Sequence, residues 1–174
     1  MLWFWFRNGS RQTTKRTMKS LTRLFLLFLG LTVYSNELTG KVVHISDGDT
    51  ITVLDQTRTS YKIRLYGIDA PESKQPFGNV SKKHLGGLLG GGTVKVEWKS
   101  KDKYGMIVGT VFVGDLNVNL KMLYDGMAWH FKKYDHSKAF EDAEATAKKK
   151  RLGLWKDKTP VPPWEYRKQK KGGM

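Results

Sequence analysis

The sequence predicts an α+β fold, mainly β, in which a five-stranded β-barrel is accompanied by three α-helices. Its 174 residues are enough for one domain with a hydrophobic core and too few for two comfortable ones. Apolar residues alternate with polar ones in four short segments, and a fifth segment is almost uniformly apolar. Five strands within about 75 residues favour a small closed barrel, because closure leaves no exposed strand edge.

The five predicted strands are short. The alternating segments have the period of two that a half-buried strand requires. They are residues 43–46, 50–53, 61–66 and 94–99. The more uniformly apolar segment, residues 107–113, ends at Gly114-Asp115, a dipeptide typical of turns.

Three segments have helical patterns. Residues 77–90 carry a loose apolar face, although three glycines there each weaken a helix by up to ~1 kcal/mol relative to alanine. Residues 117–125 begin at Asn117, a candidate N-cap, and stop before Gly126. Residues 136–152 have the clearest pattern, because acidic residues come early and basic residues late, as the helix dipole favours.

The first 35 residues have the layout of a secretory signal peptide. A short positive region from Met18 precedes an apolar run over residues 24–33, and small residues before Asn36 suit a signal peptidase. The apolar run is too short to span a bilayer of about 30 Å as a helix, although an uncleaved anchor or a buried helix is the alternative. Residues 1–17 fit neither a signal nor a fold, and we interpret them as a spurious upstream extension. The protein is accordingly expected to be secreted, either extracellular or periplasmic.

Residues 36–156 are predicted to form the single folded domain. Residues 157–174, rich in proline and lysine, are predicted to be an extended, solvated tail. Nothing in the pattern demands more than a monomer, and no stable membrane association is expected after signal cleavage.

The overall charge indicates an anionic partner. The formal net charge is +15, and an aromatic content of 12% excludes a disordered polyelectrolyte. Nucleic acid is the first candidate and a membrane surface the second. The charge alone is equally compatible with a basic protein that has no such partner. The absence of cysteine excludes disulfides, thiolate metal sites and a cysteine nucleophile.

Two acidic motifs follow predicted strands. The first is Asp47-Gly48-Asp49-Thr50 and the second is Ile68-Asp69-Ala70-Pro71-Glu72. A barrel can bring such strand ends together at one mouth, where carboxylates could bind a hard cation through oxygen atoms. An EF-hand is excluded, because Ile51 stands where another oxygen ligand belongs. Each aspartate alone is more simply a turn residue. The two motifs together with Arg64, on so basic a chain, favour a cation site.

The order of these motifs resembles the thermonuclease, or staphylococcal-nuclease-like, family. The sequence reads D-G-D-T, then R-L-x-G-I-D-A-P-E, D-K-Y-G, N-V-N and finally R-L-G-L-W. The resemblance covers about residues 39–155. It implies an OB-fold, that is, a five-stranded barrel with three helices, which agrees with the independent count of strands and helices.

The resemblance also implies a calcium site. By position, Asp49 and Asp69 match the carboxylates that ligate Ca²⁺, and the backbone carbonyl of Ala70 is the expected third ligand. Asp47 and Thr50 flank these residues and are expected to support the metal site.

Catalytic and binding roles follow from the resemblance in the same way. Glu72 matches the general base for the attacking water, and Arg64 matches an arginine that binds the scissile phosphate. Lys103 and Tyr104 match residues that hold a neighbouring phosphate and sugar. Among the remaining aromatic residues, Tyr134 is the better candidate for stacking on a base.

Position 106 departs from the family pattern. D-[K/R]-Y-G is normally followed by a second catalytic arginine, whereas this chain has Met106, which offers neither charge nor donor. Loss of one preorganised donor typically lowers the rate by ~10²–10³. Three explanations stand open: a real loss of activity, partial substitution by Lys101, Lys103 or Lys132, or a sequence variation in an active lineage.

The function expected from the sequence is a secreted, calcium-dependent nuclease. It would hydrolyse DNA and RNA, taken as single strands, with little sequence preference and with reduced activity because of Met106. The alternative is a catalytically lapsed OB-fold protein that binds nucleic acid. A basic protein that binds anionic lipid would explain the charge and would leave the carboxylates without a role.

Overall fold

Eight strands and four α-helices make up the part of the chain that the computed structural model describes, residues 36–102 and 104–172. The strands are β1 (Asn36–Asp47), β2 (Thr50–Asp55), β3 (Ser60–Leu65), β4 (Ile68–Asp69), β5 (Thr93–Lys101), β6 (Ile107–Val113), β7 (Leu116–Asn117) and β8 (Trp129–His130). The helices are α1 (Gly78–Leu89), α2 (Val118–Tyr124), α3 (Lys138–Lys149) and α4 (Pro163–Gly172), and a 3-10 helix spans Gly153–Lys156. The predicted signal peptide, with its 1–17 extension, lies outside the described residues.

Five of these strands close into the predicted barrel. The long strand β1 pairs antiparallel with β2 through its second half and with β5 through its first half. β2 pairs with β3 and β5 pairs with β6. A parallel ladder between β3 and β6, with Ile63 opposite Ile107, closes the ring. The prediction of a mainly β, OB-type α+β fold is confirmed.

The alternation read from the sequence corresponds to burial in the structure. Val94 and Val96 of β5 are buried, as are Ile63 and Leu65 of β3, while the residues between them are more exposed. The apolar faces of α1, α2 and α3 add to the same core. Local periodicity therefore identified the side chains that drive folding, because a strand buries alternate residues.

The three predicted helices are present with small shifts at their ends. α2 is capped as expected, since the side chain of Asn117 accepts a hydrogen bond of 3.0 Å from the N–H of Leu120. α3 starts at Lys138 rather than at His136, because the preceding Ser137 adopts an extended backbone. Ser137 donates from both its N–H and its hydroxyl to the carboxylate of Asp135.

The prediction of an extended C-terminal tail is wrong for residues 163–172, which form α4 and raise the number of described helices to four. Pro163 occupies the first helical position, where a missing N–H is harmless, and Glu165 lies in the first turn. Trp164 stacks on Phe131 at 5.6 Å between ring centroids and meets Trp129 edge-on at 5.7 Å. Over the described residues, we find no helix with the length and apolar character needed to cross a membrane.

Candidate active site

A tight turn between β1 and β2 positions Asp49. A Cβ atom at Gly48 would lie 2.0 Å from the hydroxyl oxygen of Ser81 and 2.7 Å from the Cβ of Ala70. Only glycine allows the turn to pack this closely on α1 and on the second acidic motif. The sequence D-G-D therefore brings Asp49 against Ala70, whose N–H donates a hydrogen bond of 2.5 Å to Oδ2 of Asp49.

Arg64 joins the two acidic motifs. The register of β2 and β3 places Arg64 opposite Thr50, beside Asp49. One guanidinium nitrogen lies 2.7 Å from Oδ1 of Asp49, and the other lies 2.6 Å from Oδ1 of Asp69. Both carboxylates are buried, with side-chain exposures of 1% and 0%, while that of Arg64 is 26%. The structure thus brings together the three charged side chains that the sequence assigned to the metal and the phosphate.

Backbone pairing and short-range hydrogen bonds hold this group in place. β4 pairs with β8, so that Asp69 lies opposite Trp129. The hydroxyl of Thr50 donates to Oδ1 of Asp49 at 3.0 Å, and the N–H of Asp49 donates to Oδ1 of Asp47 at 3.1 Å. Asp47 and Thr50 therefore contact Asp49, in the position expected of supporting residues.

A short loop carries Glu72 to the same group. The N–H of Glu72 donates to the side chain of Gln75 at 3.2 Å, and the N–H of Gln75 donates back to the carbonyl of Glu72 at 2.8 Å. A Cβ at Gly78 would lie 2.0 Å from the Glu72 carbonyl oxygen, so glycine is required where α1 begins. The close packing of the α1 start against the loop fixes the backbone of Glu72.

Arg167 of α4 is a member of the site that the sequence interpretation missed. Its guanidinium lies 2.7 Å from Oδ2 of Asp69 and 2.7 Å from Oε1 of Glu72. Arg167 therefore joins α4 to the second acidic motif, although it lies 98 positions after Asp69 in the chain. The signals that could have revealed α4 were Pro163 at a helix start, Glu165 in the first turn and the lysines of the last turn.

A cavity of about 740 Å³ adjoins Arg64. Met106 and Tyr134 line it, together with Trp98, Lys101 and Phe131. Tyr134 is 59% exposed, and its ring meets Phe131 edge-on at 5.1 Å between centroids. The cavity therefore combines an arginine, a lysine, the exposed ring of Tyr134 and two half-buried aromatic rings.

The turn before β6 sets the position of Met106. The side chain of Asp102 accepts hydrogen bonds from the N–H groups of Tyr104 and Met106 at 2.8 and 2.9 Å. Tyr104 is 80% exposed and does not line the cavity, so the structure does not place it with Arg64 and Tyr134. Lys103, predicted to bind nucleic acid, lies outside the described residues.

The charges of the site perturb one another. Complete burial raises the pKa of Asp49 well above its ordinary value, and the neighbouring Arg64 opposes that shift. Burial lowers the pKa of Arg64, but Asp49, Asp69 and Asp47 outweigh it, and the net pKa is raised. Hydrogen bonds to Asp69 and Glu72 likewise raise the pKa of Arg167. Both arginines are therefore fully charged.

The oxygen atoms of the site fit a hard cation in type. Asp49 and Asp69 provide two buried carboxylates, and Ca²⁺ takes carboxylate, carbonyl and water oxygens in flexible geometry. In the described part of the chain, no group of three or more His, Cys, Asp or Glu side chains is close enough to hold a metal ion. A cation would therefore depend on these two carboxylates completed by carbonyl or water oxygens.

The barrel and its buried carboxylate–arginine centre define an OB-type domain with a candidate phosphate- and cation-binding site. The family model described as staphylococcal nuclease homologue matches residues 62–157. A Haemophilus influenzae protein named an uncharacterized endonuclease is 43% identical over 155 residues, which are 88% of this chain and 87% of that protein.

Two further relatives also have names that describe nucleases. An Escherichia coli protein, also named an uncharacterized endonuclease, is 38% identical over 154 residues, 88% of this chain and 100% of that protein. A staphylococcal-like nuclease of Arabidopsis thaliana is 41% identical over 113 residues, 65% of this chain and 33% of that protein. This chain belongs to the staphylococcal nuclease family.

Proposed function

We propose that this protein is a calcium-dependent nuclease that hydrolyses phosphodiester bonds of DNA and RNA with little sequence preference. The observation that carries the proposal is the convergence of Arg64 on the buried carboxylates of Asp49 and Asp69, with Glu72 joined to the same centre by Arg167. A protein that only bound nucleic acid through its basic surface would have no use for three acidic groups at this point. The names of the relatives support the same reaction class.

Each residue has a chemical role in this proposal. Asp49 and Asp69, with the carbonyl of Ala70, would hold Ca²⁺, which supplies charge neutralisation to a phosphodiester when bound. Arg64 donates hydrogen bonds to the phosphate oxygens, where negative charge increases during attack. Glu72 accepts a proton from the water whose oxygen attacks phosphorus, while the bond from phosphorus to the leaving oxygen breaks.

The cavity beside Arg64 suits a single strand. Tyr134 offers an exposed ring for stacking on a base, and Lys101 offers a charge for the backbone. Stacking and charge recognise any base, which supports low sequence preference. Export of the mature chain by the signal in residues 1–35 and a monomeric state are further parts of the proposal.

Met106 favours one alternative, a protein that binds nucleic acid without cleaving it. Met106 lines the same cavity as Arg64, where the family pattern has a second arginine. Such a protein would bind single strands without calcium, and its affinity would fall steeply with salt.

The test is hydrolysis of single-stranded DNA with calcium or with chelator, by the wild type and by Met106→Arg. We expect calcium-dependent cleavage by the wild type and faster cleavage by Met106→Arg, by roughly 10²–10³. Leu116→Arg is the matched control, since it adds the same charge at an exposed position of β7 outside the cavity. If the wild type is inert and Met106→Arg is active, the result favours a protein that binds nucleic acid without cleaving it. If both proteins are inert, the nuclease proposal is refuted.

A further inference from the structure

α4 is anchored to the barrel by several independent contacts. Trp164 stacks on Phe131, and the hydroxyl of Tyr166 donates to the carbonyl of Lys74 at 2.9 Å. Just before α4, the carbonyl of Val161 accepts a hydrogen bond of 2.7 Å from the buried side chain of Gln75. Three residues other than Arg167 make these contacts. The placement of α4 therefore does not depend on Arg167 alone.

α4 and the Glu72 loop line a second cavity, of about 340 Å³, that is open to solvent. Four cationic side chains line it: Lys74, Arg167, Lys170 and Lys171. The only acidic side chain among its lining residues is that of Glu72. Lys170 lies over the ring of Tyr166, with its nitrogen 5.1 Å from the ring centroid, and this contact holds the amine near the cavity. The excess of positive charge suits an anion beside the candidate general base.

Arg167 lies at the junction of this cavity and the carboxylate centre. Its side chain is 39% exposed, and one guanidinium nitrogen lies 3.2 Å from Oδ1 of Asp69, the oxygen that Arg64 contacts at 2.6 Å. The two arginines therefore converge on one carboxylate oxygen. Met106, on the cavity lined by Arg64, has no charge to offer, so Arg167 is the second guanidinium present at this centre in the described chain.

We propose that α4 forms a phosphate-binding subsite, in which Arg167, supported by Lys170, Lys171 and Lys74, binds the nucleic-acid backbone beside Glu72. This inference rests on the proposed nuclease function. Arg167 would also give the scissile phosphate the second guanidinium that position 106 lacks. A planar guanidinium can turn from a carboxylate to a phosphate, because both accept its paired N–H groups in the same geometry.

Binding of a fluorescently labelled single-stranded oligodeoxynucleotide, measured by anisotropy in chelator over a series of salt concentrations, tests the subsite without any need for cleavage. For single strands, each phosphate contact contributes about 0.7 to the slope of log affinity against log salt. We expect Arg167→Ala to reduce that slope by about 0.7 and to weaken binding roughly tenfold, as for the loss of one charge-assisted hydrogen-bonding group. Lys168→Ala is the matched control on the same helix, since Lys168 is exposed and pairs with Glu165. It should change the affinity by less than about twofold.

A second variant separates phosphate contact from other effects of losing Arg167, which could undock α4 or uncover Asp69 and Glu72. The double variant Lys170→Ala, Lys171→Ala leaves the anchors of α4 and the Arg167 ion pairs in place. We expect it to reduce the salt slope by up to about 1.4, two single-strand contacts. Near-ultraviolet circular dichroism, which reports the stacking of Trp164 on Phe131, should be the same as for the wild type.

The outcomes separate the subsite from the nuclease proposal. An effect of the double variant no larger than twice that of Lys168→Ala would overturn the subsite, because the loss of two charges rather than one would then explain the change in binding. Faster calcium-supported cleavage by Arg167→Ala than by the wild type would also overturn the subsite. Arg167 would then inhibit the reaction by occupying Asp69 and Glu72. If the wild type and Met106→Arg are both inert and the affinity still depends on Arg167, Lys170 and Lys171, the nuclease proposal is refuted and the subsite is retained.

Discussion

Arg64 should stabilise the fold as well as act in the reaction, and Arg64→Ala separates the two roles. The substitution leaves two carboxylates, Asp49 and Asp69, buried without the guanidinium that lies 2.7 and 2.6 Å from them. Breaking a buried ion pair typically costs about 3–5 kcal/mol. Here we expect the lower value, about 3 kcal/mol, because Asp69 keeps Arg167 and Asp49 keeps its hydrogen bonds from Ala70 and Thr50. The free energy of unfolding should fall by that amount in chelator, with a loss of about 10 °C in Tm.

The assay is urea unfolding followed by circular dichroism, first in chelator and then with calcium. A cation that binds the native state at a hundred times its Kd stabilises it by about 2.7 kcal/mol. Calcium should stabilise Arg64→Ala more than the wild type, because the uncompensated carboxylates attract it more strongly. Lys62→Ala is the matched control, since Lys62 is an exposed basic residue on the same strand. Its effect should lie within about 0.5 kcal/mol of zero.

Two results would refute this reasoning. A loss for Arg64→Ala no larger than that for Lys62→Ala would mean that the carboxylates do not depend on the guanidinium. Equal stabilisation of the wild type and Arg64→Ala by calcium would mean that the cation does not bind at Asp49 and Asp69. Arg64→Lys distinguishes charge from geometry, because lysine keeps the charge and loses the paired N–H groups.

Three further predictions concern positions outside this ion pair. Asn119→Ala should lower the free energy of unfolding by about 3 kcal/mol in urea, since it removes three hydrogen bonds to the backbone and leaves the buried N–H of Val111 without a partner. The exposed Asn79→Ala should have little effect. Tyr134→Ala should weaken oligonucleotide binding by about 1–3 kcal/mol, and Tyr124→Ala, exposed away from the cavity, should not; equal affinities would exclude stacking. Gly48→Ala should destabilise the protein by about 1–3 kcal/mol, because the added Cβ displaces the turn that carries Asp49. Calcium binding measured by calorimetry should weaken for the same reason, and unchanged calcium binding would contradict this prediction.

Local patterns predicted the barrel and much of the site. The alternation around Ile63 and Val96 identified strands because burial of every second residue is a property of the strand itself. The prediction that Asp49 and Asp69 meet required only that two strand ends share one barrel mouth, and Arg64 joins them in the structure. The closing contact between β3 and β6 could not be read from either strand, since a parallel pairing depends on the path of the chain between them.

The C-terminal segment shows most clearly what the sequence alone did not reveal. Its composition of proline and lysine suggested a solvated tail, and a helix of ten residues with so many charges is marginal in isolation. Trp164 stabilises that helix by stacking on Phe131, and Arg167 is thereby brought to Asp69, 98 positions earlier in the chain. The strands, the acidic motifs and the methionine at position 106 can all be read from the order of the residues. The contact of a second arginine with the carboxylates appears only in the folded protein, because a contact over that separation depends on packing and not on local periodicity.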